Sequence, residues 1–134
     1  MAGEFTSSVN TTVKLGTLTI GGTVQAILGD QLIDVSKILP TVSTDVEIDL
    51  AIDVSAVQLM ALETDQDATV KTNSTSAPDD TLALKAKQPL IWTKDQPTAI
   101  RFFSADVTKL YVTTTVAQTA IKFGALLSIV PSLP

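Results

Sequence analysis

The chain has no cysteine and no histidine. Without cysteine neither a disulfide framework nor a thiolate metal site can form. Without histidine it lacks the commonest general base and the commonest zinc ligand together. Aromatic residues are scarce, one Trp, one Tyr and four Phe, so a core must be filled by Val, Leu, Ile and Ala, with Thr supplying further strand-compatible branching. Basic residues are outnumbered, 9 Lys and Arg against 14 Asp and Glu, which gives a net charge of −5. That balance repels phosphate backbones and argues against a nucleic-acid partner. No apolar run is long enough to cross a bilayer; the most apolar stretch, Phe123–Val130, is short and alternates like a strand. Met1–Phe5 has neither a basic segment nor an apolar one of the secretory kind, so a cytoplasmic site of synthesis and no membrane partner are expected. Asn10-Thr11-Thr12 and Asn73-Ser74-Thr75 match the glycosylation sequon, which has no meaning without secretion.

What is present is alternation. From Asp45 to Val54, apolar residues at 46, 48, 50, 52 and 54 interleave with acidic or small ones. Side chains on a strand point to opposite faces with a period of two, so Val46, Ile48, Leu50, Ile52 and Val54 are expected to face a core, and Asp45, Glu47, Asp49 and Asp53 to face away. Val9, Thr11, Val13 and Leu15 share one parity, and Leu18 and Ile20 the other, which suggests a β-bulge at Gly16. Gly21-Gly22 reads as the two-residue turn that pairs this segment with Thr23–Leu28. Leu32–Leu39 fits a short strand or a helical turn equally well. Further strands are expected at 57–63, 68–73, 81–85, 90–93, 110–116 and 120–130, with a turn at Asp65-Gln66-Asp67, a loop at 73–80 and a longer connection at 94–106.

A chain of 134 residues fits one domain with one core. The strand spacing predicts an all-β fold, an antiparallel, jelly-roll-like β-sandwich of about eight to ten short strands. We expect a flexible N-terminal arm over residues 1–8 and a single sandwich domain over 9–134. A faint internal echo relates Asp53-Val54-Ser55 to Asp106-Val107-Thr108, each placing an Asp and a hydroxyl two apart before a strand, as an Asx or Ser/Thr turn requires.

No catalytic constellation converges. The four acids of the 45–54 strand lie about 6.6 to 6.8 Å apart along one face. Such a spacing suits an inverting glycosidase but lacks an aromatic cleft, and a cross-strand ladder with lysines is the simpler account. Asp65, Asp67, Asp79 and Asp80 are expected to brace turns, with calcium ligation as the lesser alternative. A small hydrolase would have to use carboxylates such as Asp49. Arg101, Phe102 and Phe103 in the long connection are candidate partner contacts, a core plug being the equal alternative for the two Phe residues. Asp79 and Asp80 join them as candidate contacts, and Trp92 is expected to be buried rather than to stack on a ligand.

The segment Val57–Trp92, VQLMALETDQDATVKTNSTSAPDDTLALKAKQPLIW, together with SADVTKLYVT at Ser104–Thr113, resembles small virion proteins of tailed bacteriophages. The likeness is carried by strand and turn residues and does not extend to Met1–Pro40. It implies a capsid or tail component without enzymatic activity and without a cofactor. At this size it implies a capsid decoration, or cement, protein: a homotrimer bound to the major capsid protein on the outer shell of a virion assembled in bacterial cytoplasm. Met1–Ser8, 73–80 and 98–103 would be its contact segments. The alternative is a tail or fibre module that binds a host receptor or glycan through Trp92 or Tyr111.

Overall fold

A computed structural model describes residues 5–10, 12–21, 25–29 and 31–128. Twelve strands are described: β1 (Phe5–Val9), β2 (Thr12–Leu15), β3 (Leu18–Gly21), β4 (Gln25–Gly29), β5 (Gln31–Leu39), β6 (Val46–Ile52), β7 (Val57–Thr64), β8 (Ala68–Thr72), β9 (Thr81–Leu84), β10 (Leu90–Thr93), β11 (Val107–Thr114) and β12 (Thr119–Leu127). Eight of them form two four-stranded antiparallel sheets, β10-β7-β12-β5 and β6-β11-β8-β9. Counting β5 to β12 as one to eight, the sheets run 6-3-8-1 and 2-7-4-5, the strand order of a jelly roll. The fold is the all-β sandwich that the alternation predicts.

Alternation decides which residues enter the core. In β6, Ile48, Leu50 and Ile52 are buried, while Glu47, Asp49 and Ala51 between them are exposed. In β12 the buried positions Ile121, Phe123, Ala125 and Leu127 face them from the other sheet, with Met60 and Leu62 of β7; Ile129 lies outside the described residues. Threonine takes part as expected: Thr72 and Thr114 are buried, and their hydroxyls accept from the Asp80 and Ser43 N–H groups. The segment that fitted strand and helix equally is the nine-residue β5, paired along its length with β12.

The N-terminal third departs from expectation. The turn lies at Gly16-Thr17, where Leu15 opposes Leu18, and not at Gly21-Gly22. Across a two-residue turn, residues three apart become partners on one face, so parity switches without any bulge. Gly16 makes this possible with φ +62, a backbone region open to glycine at little cost. Pairing is nested: β2 with β3 nearest the turn, then β1 with β4, from Val9 opposite Gln25 to Phe5 opposite Gly29. Thus Phe5–Ser8, within the arm over 1–8 expected to be flexible, belong to a paired strand, and residues 1–4 lie outside the described set.

This hairpin meets the body at its base. Gly29 is buried, and a Cβ placed there would lie 2.6 Å from Leu126 Cγ and 2.8 Å from the Leu127 carbonyl oxygen. Only glycine lets the two backbones approach so closely.

Candidate functional site

The loops expected to touch a partner are bound to each other first. The Ser104 N–H donates to Asp80 Oδ2 (2.8 Å), and the Asn73 amide donates to Asp79 Oδ2 (2.6 Å) and to the Asp106 carbonyl (2.7 Å). Asn73 Oδ1 accepts from the Thr108 N–H (2.7 Å), and its backbone sits at φ +69, which Asn tolerates better than most residues. Loops 73–80 and 97–106 therefore form one cross-braced unit. Within it Arg101 donates through Nε to the Phe103 carbonyl (2.8 Å) and stands 5.7 Å over the Trp92 ring. Phe103 has no exposed surface; its ring lies 4.9 Å from Phe102 and 5.6 Å from Phe123. Of the two roles open to this pair, Phe103 plays the core plug, and Phe102 packs half-buried against the same cluster. Arg101, Asp79 and Asp80 keep part of their surface but spend their hydrogen bonds on the chain itself.

Trp92 is 4% exposed, and its indole N–H donates to the Pro97 carbonyl (3.1 Å), so no stacking platform exists there. The echo between 53–55 and 106–108 holds in its first copy, where Asp53 accepts from both the N–H and the hydroxyl of Ser55. In the second copy Asp106 instead accepts from the Val54 N–H (3.1 Å), tying the two copies together.

The acids do not gather. Asp65 accepts from the Ala120 N–H (2.7 Å) and Asp67 from the Ala86 N–H (2.9 Å). Among the described residues no three Asp or Glu side chains form a metal-holding group. The hydrogen bond from the Ala86 amide, helped by Lys85, holds the Asp67 carboxyl below its ordinary value. The acidic face of β6 is a ladder with lysines. Lys109 donates to Glu47 (3.0 Å), which raises the Lys109 ammonium above its ordinary value, and Lys71 lies 3.6 Å from Asp45. Tyr111, paired with Glu47 in register, sends its hydroxyl to the same carboxylate (3.4 Å). The outer surface of β6-β11-β8-β9 is therefore polar and largely self-satisfied.

The outer surface of β10-β7-β12-β5 has the opposite character, and no motif pointed to it. Register places Ile91, Ala61, Gly124 and Asp34 in one row across the four strands, and Thr93, Leu59, Leu126 and Leu32 in the next. Ala61 and Gly124 are small, so the middle of the face is low, a shallow groove of ≈ 490 Å³ edged by Asp34, Glu63 and Lys122. Its apolar end continues over Leu32, Leu59 and Leu126. Leu126 points outward yet is only 1% exposed, because the hairpin base at Gly29 lies against it. The sequence signal for this face is the loss of clean alternation. Leu59-Met60-Ala61-Leu62 and Ala125-Leu126-Leu127 are apolar at both parities, which marks strands covered on both sides.

On the hairpin itself, every described side chain of β2 and β3 is exposed, including Leu15 (60%), Leu18 (55%) and Ile20 (54%). Register puts Leu15 and Leu18 opposite each other, and Ile20 two positions along on the same face. Leu15, Leu18 and Ile20 thus give the hairpin an exposed apolar face of its own. The chain matches no protein-family model, no curated protein and no solved structure.

Proposed function

We propose that this chain is a non-enzymatic virion structural protein, a capsid decoration protein of the tailed-phage type that binds the outer capsid surface as an oligomer, a homotrimer, and stabilises the shell. The observation that carries the proposal is the one-sided surface. One sheet of the sandwich presents a groove with a small, apolar floor and charged edges, the hairpin carries the exposed Leu15, Leu18 and Ile20, and the other sheet carries a ladder of paired charges. Contiguous exposed apolar surface rimmed by charge is the mark of a contact site rather than of a substrate pocket. The resemblance of 57–92 and 104–113 to phage virion proteins supplies the setting, and the jelly-roll order is one that viral capsid domains share with lectins and cupins. That last link is an analogy of fold and carries no function by itself.

The partner in this proposal is the major capsid protein, and the site of action is the virion assembled in a bacterial cytoplasm. An oligomer sitting on a local symmetry axis would engage several capsid subunits at once, so modest individual contacts add to firm attachment. The test is co-sedimentation with capsid shells that lack the protein, followed by heating of the shells with and without it. Saturable pelleting and a raised disruption temperature are expected. Shells that neither pellet the protein nor gain heat resistance would overturn the proposal.

A further inference from the structure

We infer that the free edge of β5 is a self-association site, where two copies of this chain pair their β5 strands antiparallel about a twofold axis at Val35 and join their β10-β7-β12-β5 sheets into one. The inference goes beyond the shell-binding role and stands without it.

An edge strand keeps a row of N–H and C=O groups unpaired, and another strand is what satisfies them. The four edges of this sandwich are not equally open to one. β9 and β10 have four residues each, with Pro89 beside β10, and β6 presents Glu47 and Asp49 with no base of its own. β5 is the open edge. It runs nine residues without proline, keeps an unbroken register with β12, and has no partner strand on its other side among the described residues. Ile33 and Val35 pack from it against the core yet remain half-buried, so the core is incomplete along this edge.

The side chains select a second β5 as the partner. An axis at Val35 sets Leu32 opposite Ile38, Asp34 opposite Ser36 and Val35 opposite itself, each pair on one face of the sheet. Leu32 is 53% and Ile38 64% exposed, and each finds the other toward both ends of the ribbon. The Ser36 hydroxyl can donate to the Asp34 carboxylate across the axis. Opposed residues share parity, so those that aim N–H and C=O outward meet others that do the same, for about eight to ten main-chain hydrogen bonds. Neighbouring registers fit worse. An axis at Asp34 sets that acid against its own copy, and an axis at Ser36 sets Asp34 against Ile38 and Lys37 against Val35. Lys37 is the one guard against pairing on this strand. On the favoured axis it lies opposite Ile33, exposed, with a stem long enough to keep its ammonium in water.

The chain as a whole carries −5, but β5 carries only Asp34 and Lys37, so two copies meet along a locally neutral strand. A nine-residue strand is about 30 Å long and a sheet about 10 Å thick, so the contact covers about 300 Å² on each copy, the range of weak, reversible complexes. A twofold contact closes a pair and not a ring of three, so among trimers it would join one trimer to the next.

Sedimentation velocity of the full chain over a concentration series tests this, with circular dichroism to establish folding. At high concentration the wild type is expected to reach at least twice the mass that Ile38→Glu shows, because the new carboxylate faces Leu32 and stands beside Asp34 of the second copy. Adding Leu32→Lys to the same chain pairs the two new charges across the axis and is expected to restore the larger mass, which misfolding could not do. The chain has no cysteine, so Val35→Cys places a single thiol at the one position that faces itself. Mild oxidation is expected to link two copies through it, and to link few through Ser36→Cys, which faces Asp34 instead. A wild type that does not associate, an Ile38→Glu variant of wild-type mass, a double variant that stays small, or equal cross-linking at 35 and 36 would overturn the inference.

Discussion

Lys109 on one sheet and Gly124 on the other occupy comparable places, each on a central strand with its outward direction free of the core. Around Lys109 stand Glu47, Asp49 and Tyr111, and Glu47 takes a hydrogen bond from both the ammonium and the Tyr111 hydroxyl. Around Gly124 stand Ala61 and Leu59, which have no side-chain polar groups to satisfy and lose water when covered, with Asp34 and Lys122 at the edge. Both sheets send aliphatic residues into the core, and the β10-β7-β12-β5 sheet adds Trp92 and Phe123 to them. A sandwich can share one core and still have one side whose charges pair with each other and one side with low apolar ground between charged edges.

The largest expected effect tests whether contact chemistry belongs to that face rather than to the loop of Arg101. Phe103→Ala should destabilise the fold by about 3 to 5 kcal/mol in chemical denaturation, since it empties a fully buried aromatic site. A loss below about 1 kcal/mol with weakened partner binding would return Phe103 to the surface role and break the comparison. Gly29→Ala should cost about 1 to 3 kcal/mol, because the added methyl meets Leu126 Cγ and the Leu127 carbonyl. Hydrogen exchange should show the loss concentrated in β1 and β4, and an unchanged pattern would contradict the close approach at the hairpin base.

On the polar face the effects are smaller. Lys71→Ala, which removes the partner of Asp45, should cost about 0.2 to 1 kcal/mol and lose its effect at high salt. A cost that persists in strong salt would mean that the ladder does more than pair exposed charges. The smallest effects are those of pH. Asp67 has a lowered folded value, so its contribution is present above the ordinary carboxylate range and fades as pH falls through the folded value; Asp67→Asn should flatten that part of the acid unfolding curve. Lys109 has a raised folded value, so its contribution is complete below the ordinary lysine range and is lost as pH rises through the folded value. Glu47→Gln should abolish that alkaline drift.

Alternation made most of the sandwich legible from residues alone. β6, β8 and the buried parity of β12 fall where period-two patterning puts them, because a sheet with one wet face writes itself into the sequence, whereas β7 and β10 are legible from the turns that flank them. The hairpin was misread because two turn signals compete: Gly21-Gly22 looks stronger than Gly16-Thr17, and pairing across distance decides between them. The lysine ladder could be anticipated from β6, whose acids need cross-strand partners. The groove left only the loss of alternation at 59–62 and 125–127 as a trace, since its outline is assembled from Ala61, Gly124 and Leu32 on three strands whose order no local pattern states. Arg101, Phe102 and Phe103 drew attention by residue type, yet their role is set by Trp92, Phe123 and Asp80, distant in sequence.

One paired measurement tests the account most directly. Ala61→Lys and Thr69→Lys each place an ammonium on the outward side of a sheet, the first in the apolar groove and the second on the polar ladder. Long stems carry both charges into water, so both chains are expected to fold with the wild-type spectrum. Sedimentation of each protein with capsid shells should show association abolished by Ala61→Lys and unaffected by Thr69→Lys. Equal loss in both, or loss in Thr69→Lys alone, would contradict the assignment of one face to contact and the other to solvent.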